Sequence, residues 1–187
     1  VLMPPVFAEH ILAPLVTEFH QIYPKVSIEV VVESSTEAAL GEYDITFVSA
    51  AEGYDANVIA RPIVSTYGMV CASPRYLEQH GTPRTPQDLA QHQMLLRSYA
   101  FARGYMLRLR RIDNTRPEEE VLVTPLLVAN HTGTLLRATL DGAGISAQPS
   151  DLIARALCEG QLVQLLPEWT TGVFTLYATM PSRQFMP

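Results

Sequence analysis

Histidines are the side chains of this sequence best suited to bind a metal or to move a proton near neutral pH. There are five of them: His10, His20, His80, His92 and His131. Metal ligands on one helix face stand about three or four residues apart, whereas even His10 and His20 are ten residues apart. The spacing predicts no metal site and indicates structural or surface roles, except that His131 lies in the first turn of a predicted helix.

Other patterns that could perform catalysis are incomplete. A serine hydrolase uses an elbow of the form GxSxG, and Ser146 in Gly144-Ile145-Ser146-Ala147 lacks the second glycine. The run Gly142-Ala143-Gly144 follows a predicted helix and enters a strand, which is the reverse of the order in a dinucleotide-binding turn. No pair of carboxylates stands out in the sequence. These patterns predict that the chain is not an enzyme and has no cofactor.

Polar residues instead stand where predicted strands end and predicted helices begin. In open α/β sheets ligands bind at the carboxyl ends of strands, where helix N–H groups converge and favour anions. Each residue taken alone is also typical of a helix cap or a polar loop. Together they predict a binding site for a small carboxylate or similar anion, with Arg97 as the side-chain counter-charge. The candidates are Pro4, Pro5, Val6, Ser49, Ala50, Arg97, Ser98, Asn130, His131 and Thr132.

The elements that would position these residues alternate along the chain, and this order predicts an α/β fold with parallel strands and right-handed crossovers. The predicted strands are 1–3, 26–32, 43–48, 66–72, 94–96, 105–110, 121–123, 126–129, 145–147, 162–166 and 175–179. The predicted helices are 4–23, 36–40, 132–140 and 149–159, together with two short helices within 73–92. We expect Asn130 to cap the helix at 132–140.

Composition restricts the class of protein. The chain has 187 residues, is 48% hydrophobic and 17% charged, and carries a net charge of −6. No apolar run approaches the roughly 18 residues that span a bilayer. The acidic balance argues against direct binding of nucleic acid, which needs clustered cations. Cys71 and Cys158 form no CxxC motif, and the apolar run around Cys71 favours a buried inert thiol over a redox pair, as in a reducing cytoplasm.

The segment 73–92, SPRYLEQHGTPRTPQDLAQH, predicts two short helices with clear start and stop signals. Ser73 and Thr85 are the predicted caps, each followed by proline. Gly81 ends the first helix, and Asp88 lies in the first turn of the second, where negative charge is favoured. The segment resembles the block SPxYLxxxGxPxxPxDLxxH in the regulatory domain of LysR-type transcriptional regulators.

This resemblance extends along nearly the full chain and in the family's order. The similar segments are LAPLVTEFHQIYPKVSIEV, YDITFV, NHTGTLLRATLDGAGISAQPSDL and GQLVQLLPEW. It implies a type 2 periplasmic-binding-protein fold, with two Rossmann-like lobes of mixed, mainly parallel sheet joined by two crossing strands. Lobe I would comprise 1–66 and 167–187, and lobe II would comprise 67–166.

The resemblance also implies a function. The domain would bind a small-molecule effector between its lobes, form a homodimer or homotetramer, and lie in the cytoplasm without a membrane contact. DNA would be bound only by an N-terminal winged helix-turn-helix domain that is absent from this chain. Family sites often have serine or threonine where this chain has Pro4 and Pro5. The alternatives are a periplasmic solute-binding protein of the same fold and, as a third class, an enzyme on a two-lobed scaffold.

Overall fold

The computed structural model describes residues 1–33, 43–51, 59–98, 105–115 and 117–180, so the predicted helix at 36–40 lies outside the described residues. The strands are β1 (Leu2–Met3), β2 (Val31–Val32), β3 (Thr46–Ala51), β4 (Ile59–Ala72), β5 (Gln93–Arg97), β6 (Met106–Arg111), β7 (Glu119–Leu122), β8 (Thr124–Ala129), β9 (Ile145–Pro149), β10 (Val163–Gln164), β11 (Trp169–Thr170) and β12 (Val173–Met180). The helices are α1 (Pro5–Phe7), α2 (Ala13–Ile22), α3 (Pro74–His80), α4 (Thr132–Leu140) and α5 (Ser150–Cys158). A π-helical turn, Ala8–Leu12, joins α1 to α2, and a 3₁₀ helix, Pro86–Gln91, follows α3.

The chain forms two compact units. The first comprises Val1–Ser65 and Phe174–Pro187, and the second comprises Thr66–Val173. Strand β4 therefore begins in the first unit and ends in the second. The units divide between residues 65 and 66 and between residues 173 and 174. The lobes expected from the sequence divide between residues 66 and 67 and between residues 166 and 167.

In the first unit the sheet order is β2-β1-β3-β12. Strand β1 is parallel to both β2 and β3, and β12 is antiparallel to β3. Only Val31 and Val32 of the predicted strand 26–32 form a ladder with β1, because β1 itself is two residues long. Pro4 and Pro5 follow β1 directly, and proline has no N–H to continue a ladder.

The helix predicted over 4–23 is present but not uniform. The π-helical turn Ala8–Leu12 lies immediately before α2, whose second residue is Pro14. Proline cannot donate the backbone hydrogen bond that an unbroken α-helix needs at that position. The apolar side chains along this helical segment are half-buried or exposed; they are Ile11, Leu12, Leu15, Val16 and Phe19.

In the second unit the main sheet has the order β4-β9-β5-β8, with β10 paired to β4. Strands β5, β8 and β9 are mutually parallel, and β4 is antiparallel to β9. Alternate residues of β4 face opposite sides of this sheet. Val70 and Ala72 belong to one buried cluster, and Cys71 belongs to a second that includes Ile153 of α5. A smaller sheet has the order β11-β6-β7, in which β6 is antiparallel to both of its neighbours.

The capping signals of segment 73–92 are confirmed. The Tyr76 N–H donates to Ser73 Oγ at 3.4 Å, which caps α3. Asp88 Oδ2 accepts the N–H of Thr85 at 2.9 Å, and Thr85 and Asp88 form a reciprocal capping box. The second helix is a 3₁₀ helix, which is common for so short a segment. Gly81 ends α3 with φ of 81°, a conformation that favours glycine.

Candidate functional site

Three parallel strands of the second unit end at one edge of its sheet. Arg97, the last residue of β5, is in register with Ala129, the last residue of β8. Strand β9 runs parallel to β5, so its carboxyl end lies at the same edge. Helix α4 starts three residues after Ala129, and α5 directly follows β9. The structure therefore brings the predicted second-unit candidates, which follow β5 and β8, to one edge that also carries two helix N-termini.

Arg97 ends its strand as predicted and is partly buried, and Ser98, which follows it, is exposed. A guanidinium at this point can bind a carboxylate through a charge-assisted hydrogen bond. The side chain therefore places a fixed positive charge at the carboxyl edge of the sheet.

The predicted cap of α4 is wrong by one residue. His131, and not Asn130, is the N-cap, and its Nδ1 accepts the N–H of Thr134 at 3.2 Å. The same ring nitrogen lies 2.9 Å from Thr134 Oγ1. Asparagine is the more usual cap, so the local pattern favoured it. An imidazole nitrogen that accepts a hydrogen bond carries no proton, so the proton of the neutral ring is on Nε2.

Gly133 makes room for the His131 ring. A Cβ on Gly133 would lie 3.0 Å from His131 Cε1, which is closer than ordinary contact. The ring thus covers the first turn of α4 and occupies the N–H of Thr134. Thr132, the first residue of α4, is buried. An anion at this helix start would therefore use the N–H groups that precede Thr134.

The first-unit candidates at the start of α1 offer few backbone donors. Of Pro4, Pro5 and Val6, only Val6 has a backbone N–H, because proline has none. The Pro4 carbonyl accepts the N–H groups of Phe7 and Ala8, each at 3.1 Å. A bound anion could thus receive one backbone hydrogen bond from these three residues.

The predicted position of Ser49 and Ala50 is also wrong. Both lie within β3 and not after it, with Ser49 in register with Leu176 and Ala50 with Thr175 of β12. Ala50 is buried. Strand β3 extends to Ala51 because an antiparallel partner from the far end of the chain pairs with it, and no local pattern around 43–50 indicates that partner.

A hydrogen-bonded network of buried polar side chains, which was not predicted from the sequence, lies on the α4 side of the second-unit sheet. Gln148 Nε2 donates to Ser146 Oγ at 2.9 Å, and Ser146 Oγ lies 2.7 Å from Thr139 Oγ1. Thr139 Oγ1 in turn donates to the Leu135 carbonyl at 2.7 Å. All three polar side chains are at most 1% exposed. The available signal was the pair of polar residues at alternate positions, 146 and 148, which places both on one face of the strand.

Cys71 is buried, as predicted, and it lies next to this network of polar side chains. Its Sγ lies 4.0 Å from Ser146 Oγ, and burial raises the pKa of the thiol to about 12, although the hydrogen bond to Ser146 lowers it slightly. The thiol is therefore protonated at neutral pH and is a poor nucleophile. Within the described ranges no cluster of three or more His, Cys, Asp or Glu side chains could hold a metal ion. No helix in that part of the chain has the length and apolar character to cross a membrane.

Comparison with known proteins identifies relatives among transcriptional regulators. Residues 1–187 match the family model described as LysR substrate binding domain. The chain is 33% identical over 171 residues to the HTH-type transcriptional regulator CrgA of Neisseria meningitidis serogroup C, covering 87% of this chain and 52% of CrgA. It is 30% identical over 179 residues to an uncharacterized HTH-type transcriptional regulator of Haemophilus influenzae, covering 94% of this chain and 60% of that protein. The chain thus spans between half and two thirds of the length of these curated relatives.

Solved structures share the fold. The full-length structure of the Vibrio cholerae virulence activator AphB, a member of the LTTR protein family, matches with a TM-score of 0.82 at 23% identity, covering 100% of this chain and 62% of AphB. The regulatory domain of CrgA matches with a TM-score of 0.78 at 25% identity, covering 97% of this chain and 87% of that one. These matches confirm the predicted type 2 periplasmic-binding-protein fold. The chain therefore belongs to the LysR substrate-binding domain family, the effector-binding domain of LysR-type transcriptional regulators.

Proposed function

We propose that this domain binds a small metabolite, a carboxylate or a similar anion, and that the bound metabolite controls DNA binding and transcription by the whole regulator. The observation that supports the proposal best is that Arg97 and the start of α4 lie at one edge of the second-unit sheet. Both favour negative charge: Arg97 through its guanidinium, and the helix through first-turn N–H groups that have no partner within the helix. A carboxylate can use both.

The regulatory step follows from unequal affinity. A metabolite shifts an equilibrium between conformations only if it binds one of them more tightly than the other. The domain would thus report the metabolite by changing the population of a conformation that the DNA-binding part of the protein recognises. In this proposal the acidic domain, with its net charge of −6, does not itself bind DNA.

The rest of the proposal concerns the whole protein. We place it in the cytoplasm, with a winged helix-turn-helix domain that binds DNA, and without enzymatic activity. The HTH-type regulators among its relatives favour this function over a periplasmic solute-binding protein. The candidate contacts Pro4, Pro5 and Val6 stay a prediction.

Replacing Arg97 with alanine should weaken binding of a carboxylate effector roughly ten- to a hundredfold. The reason is that a charge-assisted hydrogen bond contributes about 1.5–3 kcal/mol. A thermal-shift screen of small carboxylates on the purified chain would select the compound that raises Tm most. Calorimetry would then measure the Kd of that compound for the wild type and for Arg97→Ala.

Arg137→Ala is the matched control, because it removes the same charge at the other end of α4. Arg137 is exposed and pairs with Asp141, its Nε lying 2.8 Å from Oδ2. Its loss should leave the Kd unchanged. Equal affinities of wild type and Arg97→Ala would exclude Arg97 from the site, and selection of a neutral apolar compound would contradict the proposed anion.

We also expect the isolated chain to form at least a weak dimer through the apolar side of α2 and the residues that follow it. Leu15 is 51% exposed, and Ile22 and Tyr23 are exposed as well. An apolar surface of this kind on a helix is typical of an interface. Light scattering at high micromolar concentration should detect the dimer, and Leu15→Asp should abolish it.

Leu122→Asp is the control for this experiment, since Leu122 on β7 is 66% exposed and lies in the other unit. This variant should dimerise as the wild type does. A wild-type chain that stays monomeric throughout the concentration range would contradict the predicted interface.

A further inference from the structure

The hydrogen bonds of the buried polar network determine which atom of the Gln148 carboxamide has no partner. The Thr139 hydroxyl proton is used on the Leu135 carbonyl. The Ser146 hydroxyl therefore donates to Thr139, and its oxygen accepts from the Gln148 amide nitrogen. The reverse amide orientation would sacrifice one of these three bonds, because a serine hydroxyl has a single proton. The carboxamide nitrogen of Gln148 thus donates to Ser146, and the carboxamide oxygen, Oε1, makes no hydrogen bond within the network.

Gln148 Oε1 has no hydrogen-bond donor within reach among the residues that the structure describes, and the atom is buried. Native proteins leave few buried polar atoms without a partner, because such an atom has lost its hydrogen bonds to water. A glutamine at the surface could hydrate its oxygen, but Gln148 is 1% exposed. We therefore expect Oε1 to accept a hydrogen bond from a donor that is not one of the described residues.

The position of Gln148 connects this oxygen to the candidate site. Gln148 is two residues beyond Ser146 toward the carboxyl end of β9, on the face that carries Thr139 of α4. That carboxyl end lies at the same edge as Arg97 and the start of α4, and α5 begins two residues after Gln148. The helix N-terminus and the unpartnered carboxamide oxygen are two independent features of one region. One attracts an anion, and the other needs a hydrogen-bond donor.

We propose that Gln148 is a specificity-determining contact for the effector and accepts a hydrogen bond from a hydroxyl or ammonium group of it. This inference rests on the proposed function and names the effector class as hydroxy or amino carboxylates. A simple carboxylate of the same size would leave Oε1 without a donor. A second carboxylate placed there would add another acceptor, and two acceptors repel each other.

The test measures discrimination between compounds that differ by one donor group. Calorimetry on the 187-residue chain would use lactate and propionate, mandelate and phenylacetate, serine and 3-hydroxypropionate, and 4-hydroxybutyrate and butyrate. The wild type should bind the member with the extra donor at least about tenfold more tightly in one or more pairs. Gln148→Leu keeps the approximate volume and removes the acceptor, so this ratio should fall to about one while the other member binds as before.

Two further measurements distinguish a ligand contact from a structural role. Gln148→Leu without ligand should retain its free energy of unfolding, because the loss of the bond to Ser146 is offset by removal of an unpartnered buried oxygen. Cys71→Ala is the control for disturbance of the same region, since Cys71 is buried next to Ser146. That variant should unfold more easily and keep the wild-type preference.

The outcomes separate this inference from the proposed function. A Gln148→Leu variant that keeps the preference, or that is clearly less stable without ligand, would overturn the role of Gln148. Equal binding of both members of every pair, still weakened by Arg97→Ala, would overturn that role and leave the proposed function standing. Failure of every carboxylate to bind the wild type would overturn both.

Discussion

Replacing Gly144 with alanine should destabilise the second unit by about 3 kcal/mol or more, at the upper end of overpacking substitutions. A Cβ at this position would lie 2.4 Å from the Gln93 carbonyl oxygen and 3.1 Å from its carbonyl carbon. Both are backbone atoms and cannot rotate away. Gly144 and Gln93 precede Ile145 and Met94, which are paired in the parallel ladder between β9 and β5. The methyl group would therefore force these two central strands apart.

Gly142→Ala is the matched control in the same loop. Gly142 has φ of 85°, and a Cβ there would have its nearest contact at 3.5 Å, which is ordinary van der Waals distance. Its replacement should cost about 1–2 kcal/mol, because only the left-handed conformation is disfavoured. Urea unfolding of both variants would measure the two free energies. A Gly144→Ala variant as stable as Gly142→Ala would show that the close approach of the two strands is not a constraint.

Replacing Tyr76 with phenylalanine should lower the free energy of unfolding by about 1–3 kcal/mol, because it removes two hydrogen bonds, one of them to the buried His92 side chain. The buried Tyr76 hydroxyl accepts the N–H of Gln93 at 2.9 Å and lies 3.1 Å from His92 Nδ1. The hydroxyl can donate its own proton to His92 when the imidazole carries its proton on Nε2. His92 is 9% exposed, so water replaces its lost partner poorly.

The effect of Tyr76→Phe should depend on pH. Burial, and to a lesser extent the charge of His80, lower the pKa of His92 below its ordinary value of 6.5. The unfolded state therefore binds the proton more readily, and the wild type loses stability as pH falls below about 6.5. Protonation of Nδ1 also reverses this bond, because Nδ1–H can only donate, and the hydroxyl proton of Tyr76 then loses its acceptor. The difference between wild type and variant should consequently be larger at pH 8 than at pH 5.

Tyr67→Phe is the control, since Tyr67 is an exposed tyrosine of the same unit. Its free energy of unfolding should differ from that of the wild type by less than about 0.5 kcal/mol. Denaturant unfolding at the two pH values would test all three proteins. A Tyr76→Phe variant that unfolds as the wild type does at pH 8 would contradict the assigned hydrogen bonds.

Features that depend on neighbouring residues could be predicted from the sequence. The caps at Ser73 and Thr85 and the stop at Gly81 are local, because their hydrogen bonds join residues at most a few positions apart. The apolar run before Arg97 correctly predicted that this residue ends a strand. The order of such segments was sufficient to predict the family and its fold, which the comparisons confirm.

Other features were decided by tertiary structure, because they depend on residues far apart in the chain. Strand β3 includes Ser49 and Ala50 only because β12 pairs with it. Gly144 is needed because of the Gln93 backbone about fifty positions earlier, so its conformation alone does not explain it.

The candidate site shows the same division. The local pattern identified the edge that Arg97 and His131 occupy, since strand ends and helix starts are visible in the sequence. That the His131 ring caps α4 in place of Asn130 was missed although its signal is local, since Gly133, two residues further on, leaves the space for the ring. The local pattern could not show that Gln148 is buried with one atom unused, because the packing of α4 against β9 determines which polar atoms lose contact with water and which of them find a partner.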